Sequence, residues 1–235
     1  MTRTQGLILA PIILFSGACD DSEPSLPSAS AAGAATGRGG LLFMNPAARE
    51  LRFSAVFHRA NAEEGTWHFL VEKNRTMASR AIFTTDVTPA QFYKSFQEIG
   101  ASDGNNVTPA NSREEKIATR GDAVDFTFEW KGSDGAIPLE KLVTEAVPDI
   151  PSSGGVRGLE LRFGGNMTAE DASSPPAHVS GCLACLYTCS AGVVSNSKAN
   201  EALLKREKGV SRYRIQPATD IPDGARVTIV TRIKE

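Results

Sequence analysis

The groups best suited to chemistry lie in one stretch, His178-Val-Ser-Gly-Cys182-Leu-Ala-Cys185-Leu-Tyr-Thr-Cys189. Three of the chain's 4 cysteines fall here with the spacing C-x2-C-x3-C. Thiols held this close bind a metal, exchange electrons, or pair with one another. The fourth, Cys19, sits near the N-terminus. If Cys19 carries a lipid, three thiols remain, and an odd number cannot all pair within one chain. On a helix, positions 182, 185 and 189 share one face, and His178 at i−4 joins the same stripe. A Cys3His set of this kind suits zinc. It also suits an iron–sulfur cluster with an unusual fourth ligand, because ferredoxin cubanes take four cysteines. The spacing differs from the C-x2-C-x2-C run of bacterial ferredoxins, and no Cys-Pro supplies a fourth thiolate. Three readings stand: a metal or cluster site at Cys182, Cys185 and Cys189 with His178; a Cys182–Cys185 disulfide that Cys189 can attack; or a structural disulfide plus an inert thiol packed beside Leu183, Leu186 and Val193.

The compartment bears on that choice. Met1 to Ala18 has a short polar start with Arg3, an apolar run from Leu7 to Phe15 broken by Pro11, and the small residues Ser16, Gly17 and Ala18. This is the outline of a secretory signal, residues 1–18. Small residues leading into Cys19 resemble a bacterial lipobox, with Ser16 in place of the usual leucine, so Cys19 is expected to be acylated and to tether the protein to a membrane. Asp20 and Asp21 follow it, and the choice between inner and outer membrane stays open. Residues 21–40 are almost all Ser, Ala, Pro and Gly and read as a flexible spacer. The expected organisation is a signal peptide over 1–18, lipid attachment and linker over 19–40, and a single domain over 41–235, facing the periplasm. The N-terminus has no Arg-Arg pair, so the twin-arginine route for folded, cluster-loaded proteins is not indicated. An oxidising compartment favours a disulfide, or a metal acquired after export.

The elements that must position the thiols follow from periodicity. Residues 41–44 and 50–59 read as two strands joined by a turn, with Leu51, Phe53, Ala55 and Phe57 alternating to one side. Residues 65–73 continue as a strand in which His68 falls in the polar phase, as His58 does in the strand before it, which predicts solvated surface histidines. Thr88-Pro89-Ala90-Gln91 predicts a helix start with a capping box; Phe92, Phe96 and Ile99 form its apolar face and Gly100 its stop. Residues 101–120 predict a long surface loop. Val124, Phe126, Phe128 and Trp130 alternate in another strand, residues 138–143 begin a short helix, and residues 156–163 form a strand ended by Gly164-Gly165-Asn166. Residues 197–208 predict a polar helix, and residues 211–216 with 225–233 a closing hairpin. The expected fold is α+β: a mainly antiparallel sheet with one or two packed helices and a cysteine-bearing loop or short helix.

Composition excludes several classes. About 195 residues beyond the linker suffice for one domain. A formal charge of −2 with 22% charged residues gives no broad attraction for nucleic acid. No apolar run is long enough to span a membrane. Neither G-x-S-x-G nor H-E-x-x-H occurs, and the phosphate-binding glycine spacings are absent, so the chain does not read as a classical enzyme.

Several separated pieces in order, Ser79 to Pro89 with the helix to Gly100-Ala101, Phe128-Glu129-Trp130, Arg162-Phe163-Gly164-Gly165-Asn166, and Gly181-Cys182-Leu183-Ala184-Cys185 on to Cys189 and Ser195-Asn196, resemble the YdjY-type bacterial envelope proteins, described as ferredoxin-like. The resemblance covers most of residues 41–235. It implies a YdjY-type domain and an iron–sulfur role. The functional expectation is a redox or electron-transfer envelope lipoprotein with a three-cysteine metal or iron–sulfur site and an unidentified redox or protein partner. The alternative is a non-catalytic binding or scaffolding module whose cysteines form a structural or redox disulfide.

Overall fold

The computed structural model describes residues 34–35, 41–112, 114, 116–146, 159–167, 177–199, 212–216 and 219–234. The signal and lipid-attachment residues, including Cys19, lie outside this set, as does most of the helix expected over 197–208. The strands are β1 (Ala34–Ala35), β2 (Leu42–Asn45), β3 (Glu50–Phe57), β4 (His68–Glu72), β5 (Phe83–Thr85), β6 (Val124–Trp130), β7 (Ile137–Pro138), β8 (Val143–Ala146), β9 (Leu161–Phe163), β10 (Cys182–Cys185), β11 (Val194–Asn196), β12 (Arg212–Ile215) and β13 (Arg226–Ile233). The helices are α1 (Arg59–Glu64), α2 (Pro89–Glu98), α3 (Leu139–Leu142) and α4 (Ala177–Ser180), with 3-10 turns at Pro46–Ala48 and Ala78–Arg80.

Local sequence explains the first elements. In β2–β3 the connection is a turn at Pro46, and the pair runs antiparallel with Leu42 opposite Phe53 and Asn45 opposite Glu50. Strand β3 alternates as expected, with Leu51, Phe53, Ala55 and Phe57 buried. Helix α2 begins with the expected capping box: Thr88 accepts from the Gln91 amide, and the Gln91 side chain accepts from the Thr88 amide at 3.0 Å. Phe92 and Phe96 are buried on its inner face, and Gly100, at φ +78°, ends it in a conformation that favours glycine.

Most strands join one eleven-stranded sheet in the order β7-β6-β13-β3-β5-β4-β10-β11-β9, with β2 added on β3 and β1 on β2. Most neighbours in the sheet pair antiparallel, as expected, but the sheet is mixed. Strands β4 and β5 run parallel, with Leu70 opposite Phe83, and β10 and β11 run parallel, with Ala184 opposite Val194. Sequence periodicity reports which face a residue takes but not the direction of its neighbour, so parallel pairing was not visible in it. Nor do β12 and β13 form the expected hairpin. Strand β12 pairs with β8 in a separate two-stranded sheet, whereas β13 lies between β3 and β6. Five of the eight residues of β13 are buried, Val227, Ile229, Val230, Thr231 and Ile233, which suits the strand to a central position with a partner on both edges.

The main core lies on the face of the sheet that α2 covers, where α2 meets β10 and α4. Phe83 is its centre: it stacks on Phe128 at 5.4 Å and meets Phe57 and Phe69 at 5.5 and 5.6 Å. Among the described residues no helix is long and apolar enough to cross a membrane.

A parallel pair cannot be closed by a tight hairpin; its connection has to cross over the sheet. The β4–β5 connection carries the 3-10 turn Ala78–Arg80, and the β10–β11 connection carries Cys189. Residues from both connections meet in a second, smaller cluster of Val71, Ala81, Cys182, Cys185, Cys189 and Ala191, bordered by Met77, Ala78 and Tyr187. The two departures from antiparallel pairing therefore enclose the three thiols between them.

Candidate functional site

Cys182 and Cys185 stand on strand β10 rather than on the expected loop or short helix, and Cys189 stands on the loop after it. In a regular strand residues i and i+3 face opposite sides. Here they share a side because the pairing with β4 slips twice. Cys182 pairs with Val71, Ala184 with Leu70, and Cys185 with His68. Between the first two pairs β10 contains one extra residue; between the second two, β4 does. Such bulges re-aim side chains. Leu183 and Ala184 consequently both join the main core, while Cys182 and Cys185 both face the small cluster. On β4, Phe69 and Leu70 likewise share the main core, leaving Val71 and His68 toward the thiols.

That geometry corrects the reading of His68. Its Nδ1 lies 3.7 Å from Cys182 Sγ, not on a solvated face, because the bulge interrupts the alternation on which the surface assignment depended. His58, also assigned to a polar surface, has its Nε2 2.8 Å from Thr84 Oγ1. His178 belongs to α4, and its side chain lies outside the described set.

All three thiols are buried and unpaired, with residue exposures of 2% at Cys182, 0% at Cys185 and 4% at Cys189. Cys185 interacts with both other thiols. The hydrogen bond from Cys185, followed by the His68 imidazole and the Ser180 hydroxyl, holds the Cys182 thiol well below the usual range, at about 5, despite its burial. Cys185 is pushed upward by the same contact, by Cys189 and by burial. Tyr187 is also pushed upward, first by the charge of Cys189 and then by burial. The cluster is thus electrically asymmetric: Cys182 favours the thiolate and Cys185 the thiol.

Backbone contacts fix the loop. Ser180 Oγ accepts from the Cys182 amide at 3.2 Å and donates to the Ala191 carbonyl at 3.3 Å. Asn166 Nδ2 donates to the Cys189 carbonyl at 2.7 Å, and the Ala191 amide donates to Cys189 Sγ at 3.3 Å. Asn196 is the principal clamp. Its Nδ2 donates to the Leu186 carbonyl at 3.1 Å and to the Tyr213 hydroxyl at 3.3 Å, while its Oδ1 accepts from the Glu160 and Lys198 amides, each at 3.0 Å. Gly192 lies against the central sulfur: a Cβ there would stand 3.0 Å from Cys185 Sγ.

Three thiols and an imidazole are suitable donor types for zinc or for an iron–sulfur centre. Among the described residues no group of three or more His, Cys, Asp or Glu side chains is placed to hold a metal ion. What the arrangement offers instead is a thiolate-favouring cysteine in contact with a protonated one, the pairing required for thiol–disulfide exchange.

The comparisons with known proteins converge on one family. The family model described as the YdjY domain matches residues 42–232, a span that includes the entire thiol cluster. The protein named "Uncharacterized protein YdjY" from Escherichia coli (strain K12) is 27% identical over 172 residues, covering 73% of this chain and 69% of that protein. No solved structure matches.

Proposed function

The chain belongs to the YdjY domain family, and from the thiol cluster which that domain encloses we propose a redox protein of the cell envelope, tethered through lipidated Cys19 and working through Cys182, Cys185 and Cys189. The observation that carries this reading is the contact of Cys185 with both other thiols, beside a Cys182 thiolate stabilised by His68. Export and tethering are supported by the sequence alone: Arg3, the apolar run from Leu7 to Phe15, and the small residues before Cys19.

The chemistry balances as a two-electron exchange. The Cys182 thiolate attacks one sulfur of a partner disulfide, forming a mixed disulfide and releasing the partner's first thiolate. Cys185 then loses its proton and attacks Cys182 Sγ, closing a Cys182–Cys185 bond and releasing the partner's second sulfur. Two electrons pass to the partner, which becomes a dithiol by taking up the Cys185 proton and one proton from solvent, while the site is oxidised. The reverse sequence oxidises a partner dithiol. The oxidising envelope supplies disulfide-bearing partners.

A second reading, zinc or an iron–sulfur cluster on Cys182, Cys185 and Cys189, is favoured by the gathering of three thiols and His68 in one buried place. A third makes the protein a scaffold whose cysteines only support a loop. One preparation separates them: the full chain purified without oxygen, with its free thiols counted before and after exposure to oxidised glutathione, and with an absorption spectrum and metal analysis. Loss of two cluster thiols from a colourless, metal-free protein supports exchange. Visible absorption with iron, or stoichiometric zinc, replaces it with the metal reading, and unreactive thiols without metal leave the scaffold.

A further inference from the structure

Cys185 occupies a position that a two-cysteine exchange site would not need. It interacts with Cys182 on its own strand and with Cys189 on the crossover loop, and it is the most deeply buried of the three. Cys182 and Cys189 have different surroundings. Cys182 lies between Ser180 and His68, next to β4, whereas Cys189 is held by Asn166 and borders Tyr187. A fixed disulfide needs two of these thiols and leaves the third without a task.

We propose that Cys185 is a shared sulfur, and that the site holds one disulfide which moves between Cys182–Cys185 and Cys185–Cys189. This rests on the redox reading above and adds a direction of transfer within the site. The step is an internal exchange. The Cys189 thiolate attacks Cys185 Sγ, the Cys185–Cys189 bond forms, the Cys182–Cys185 bond breaks, and Cys182 leaves as a thiolate. One disulfide and one thiolate stand on each side of the equation, so no external oxidant or reductant is consumed. Contact with His68 makes Cys182 the better leaving sulfur, and a sulfur that leaves readily speeds exchange. Gly192 supports the motion, because the place a side chain would take beside Cys185 Sγ stays clear.

The consequence is that oxidising equivalents taken in at Cys182 can be given out at Cys189. A disulfide-bearing partner and a dithiol-bearing partner then engage different edges of one cluster, and the sealed middle sulfur joins them without contacting either. The third thiol is thereby a functional member of the site.

The test uses the full wild-type chain, oxidised with oxidised glutathione and quenched by alkylating free thiols. Chymotryptic cleavage after Leu183 and after Tyr187 separates the three cysteines, so mass spectrometry identifies each pair. The expected result is both Cys182–Cys185 and Cys185–Cys189 species, with their ratio drifting to a constant value after oxidant is removed while the number of free thiols stays unchanged. Cys182→Ser should retain the Cys185–Cys189 bond and Cys189→Ser the Cys182–Cys185 bond. A single unchanging pair in the wild type overturns the shared-sulfur proposal and leaves the redox reading intact; so does a Cys182–Cys189 pair. Absence of any disulfide overturns both. The wild-type measurement decides the matter even if a variant fails to fold.

Discussion

His68 Nδ1 lies 3.7 Å from Cys182 Sγ, across a strand pair whose register slips by one residue on each side. The contact joins a thiol to an imidazole inside the sheet, and after the Cys185 thiol it is the contact that most sets Cys182 apart from its neighbours.

Replacing His68 by Ala is expected to raise the Cys182 pKa from about 5, because the imidazole contributes both a hydrogen bond and a charge that favour the thiolate. Cys185→Ala should raise it further, since the Cys185 thiol is the larger cause. The measurement is the pH dependence of thiolate ultraviolet absorbance in the reduced protein. An unchanged midpoint in both variants would show that neither group acts on Cys182.

Stability should depend on pH in a defined direction. An unfolded thiol titrates near about 8.5. Between about 5 and that value the folded Cys182 has lost a proton that the unfolded chain keeps, so stability rises with pH and is lost as pH falls through about 5. Cys185 acts oppositely: above the unfolded value the folded thiol keeps a proton that the unfolded chain loses, so stability falls as pH rises further. Denaturant unfolding under reducing conditions across this range should therefore show a rise followed by a fall, and the rising limb should flatten in Cys182→Ser.

Asn196→Ala removes two donated and two accepted hydrogen bonds at a fully buried position. The orphaned groups should cost on the order of 3 kcal/mol, read as a lowered denaturant midpoint. A cost below about 1 kcal/mol, the net worth of a single ordinary hydrogen bond, would mean that Asn196 does not clamp the cysteine loop.

Gly181→Ala places a methyl group 2.4 Å from Arg75 Cβ at a residue with φ +79°. The left-handed backbone alone costs about 1–2 kcal/mol. The clash should also lift the connection that covers the thiols, so native-state reaction with an aromatic disulfide reagent should become faster than in the wild type. Phe83→Ala, at the centre of the aromatic core, should cost about 3–5 kcal/mol without that specific gain in thiol reactivity relative to its loss of stability.

Much of the framework was legible because it is written in local rules. The β2–β3 hairpin follows from alternation around Pro46, and α2 follows from Thr88, Pro89, Gln91 and the spacing of Phe92 and Phe96. The cysteine stretch was also visible, because three thiols in so short a span are unusual in any setting. The partners of those thiols were hidden. His68 is more than a hundred residues from Cys182, and its inward aim depends on paired bulges that leave no mark in a hydrophobic pattern. Strand β5 was missed because three buried residues, Phe83, Thr84 and Thr85, show no alternation. Asn196 was quoted only as part of a family resemblance; its role needs the positions of Leu186, Tyr213, Glu160 and Lys198 together.

The two bulges have a consequence for how the domain can change over generations. Each strand contributes one surplus residue, and the surpluses cancel, so pairing beyond them is back in phase. Deleting a residue from β10 alone, or from β4 alone, would leave a single uncompensated slip and carry every side chain past it to the wrong side of the sheet. Only a matched loss in both strands restores the alignment, and that loss would turn Cys185 and His68 away together. Strand length here is consequently inherited as a pair, and a relative that shortens one strand should be found to have shortened the other and to have given up the cluster.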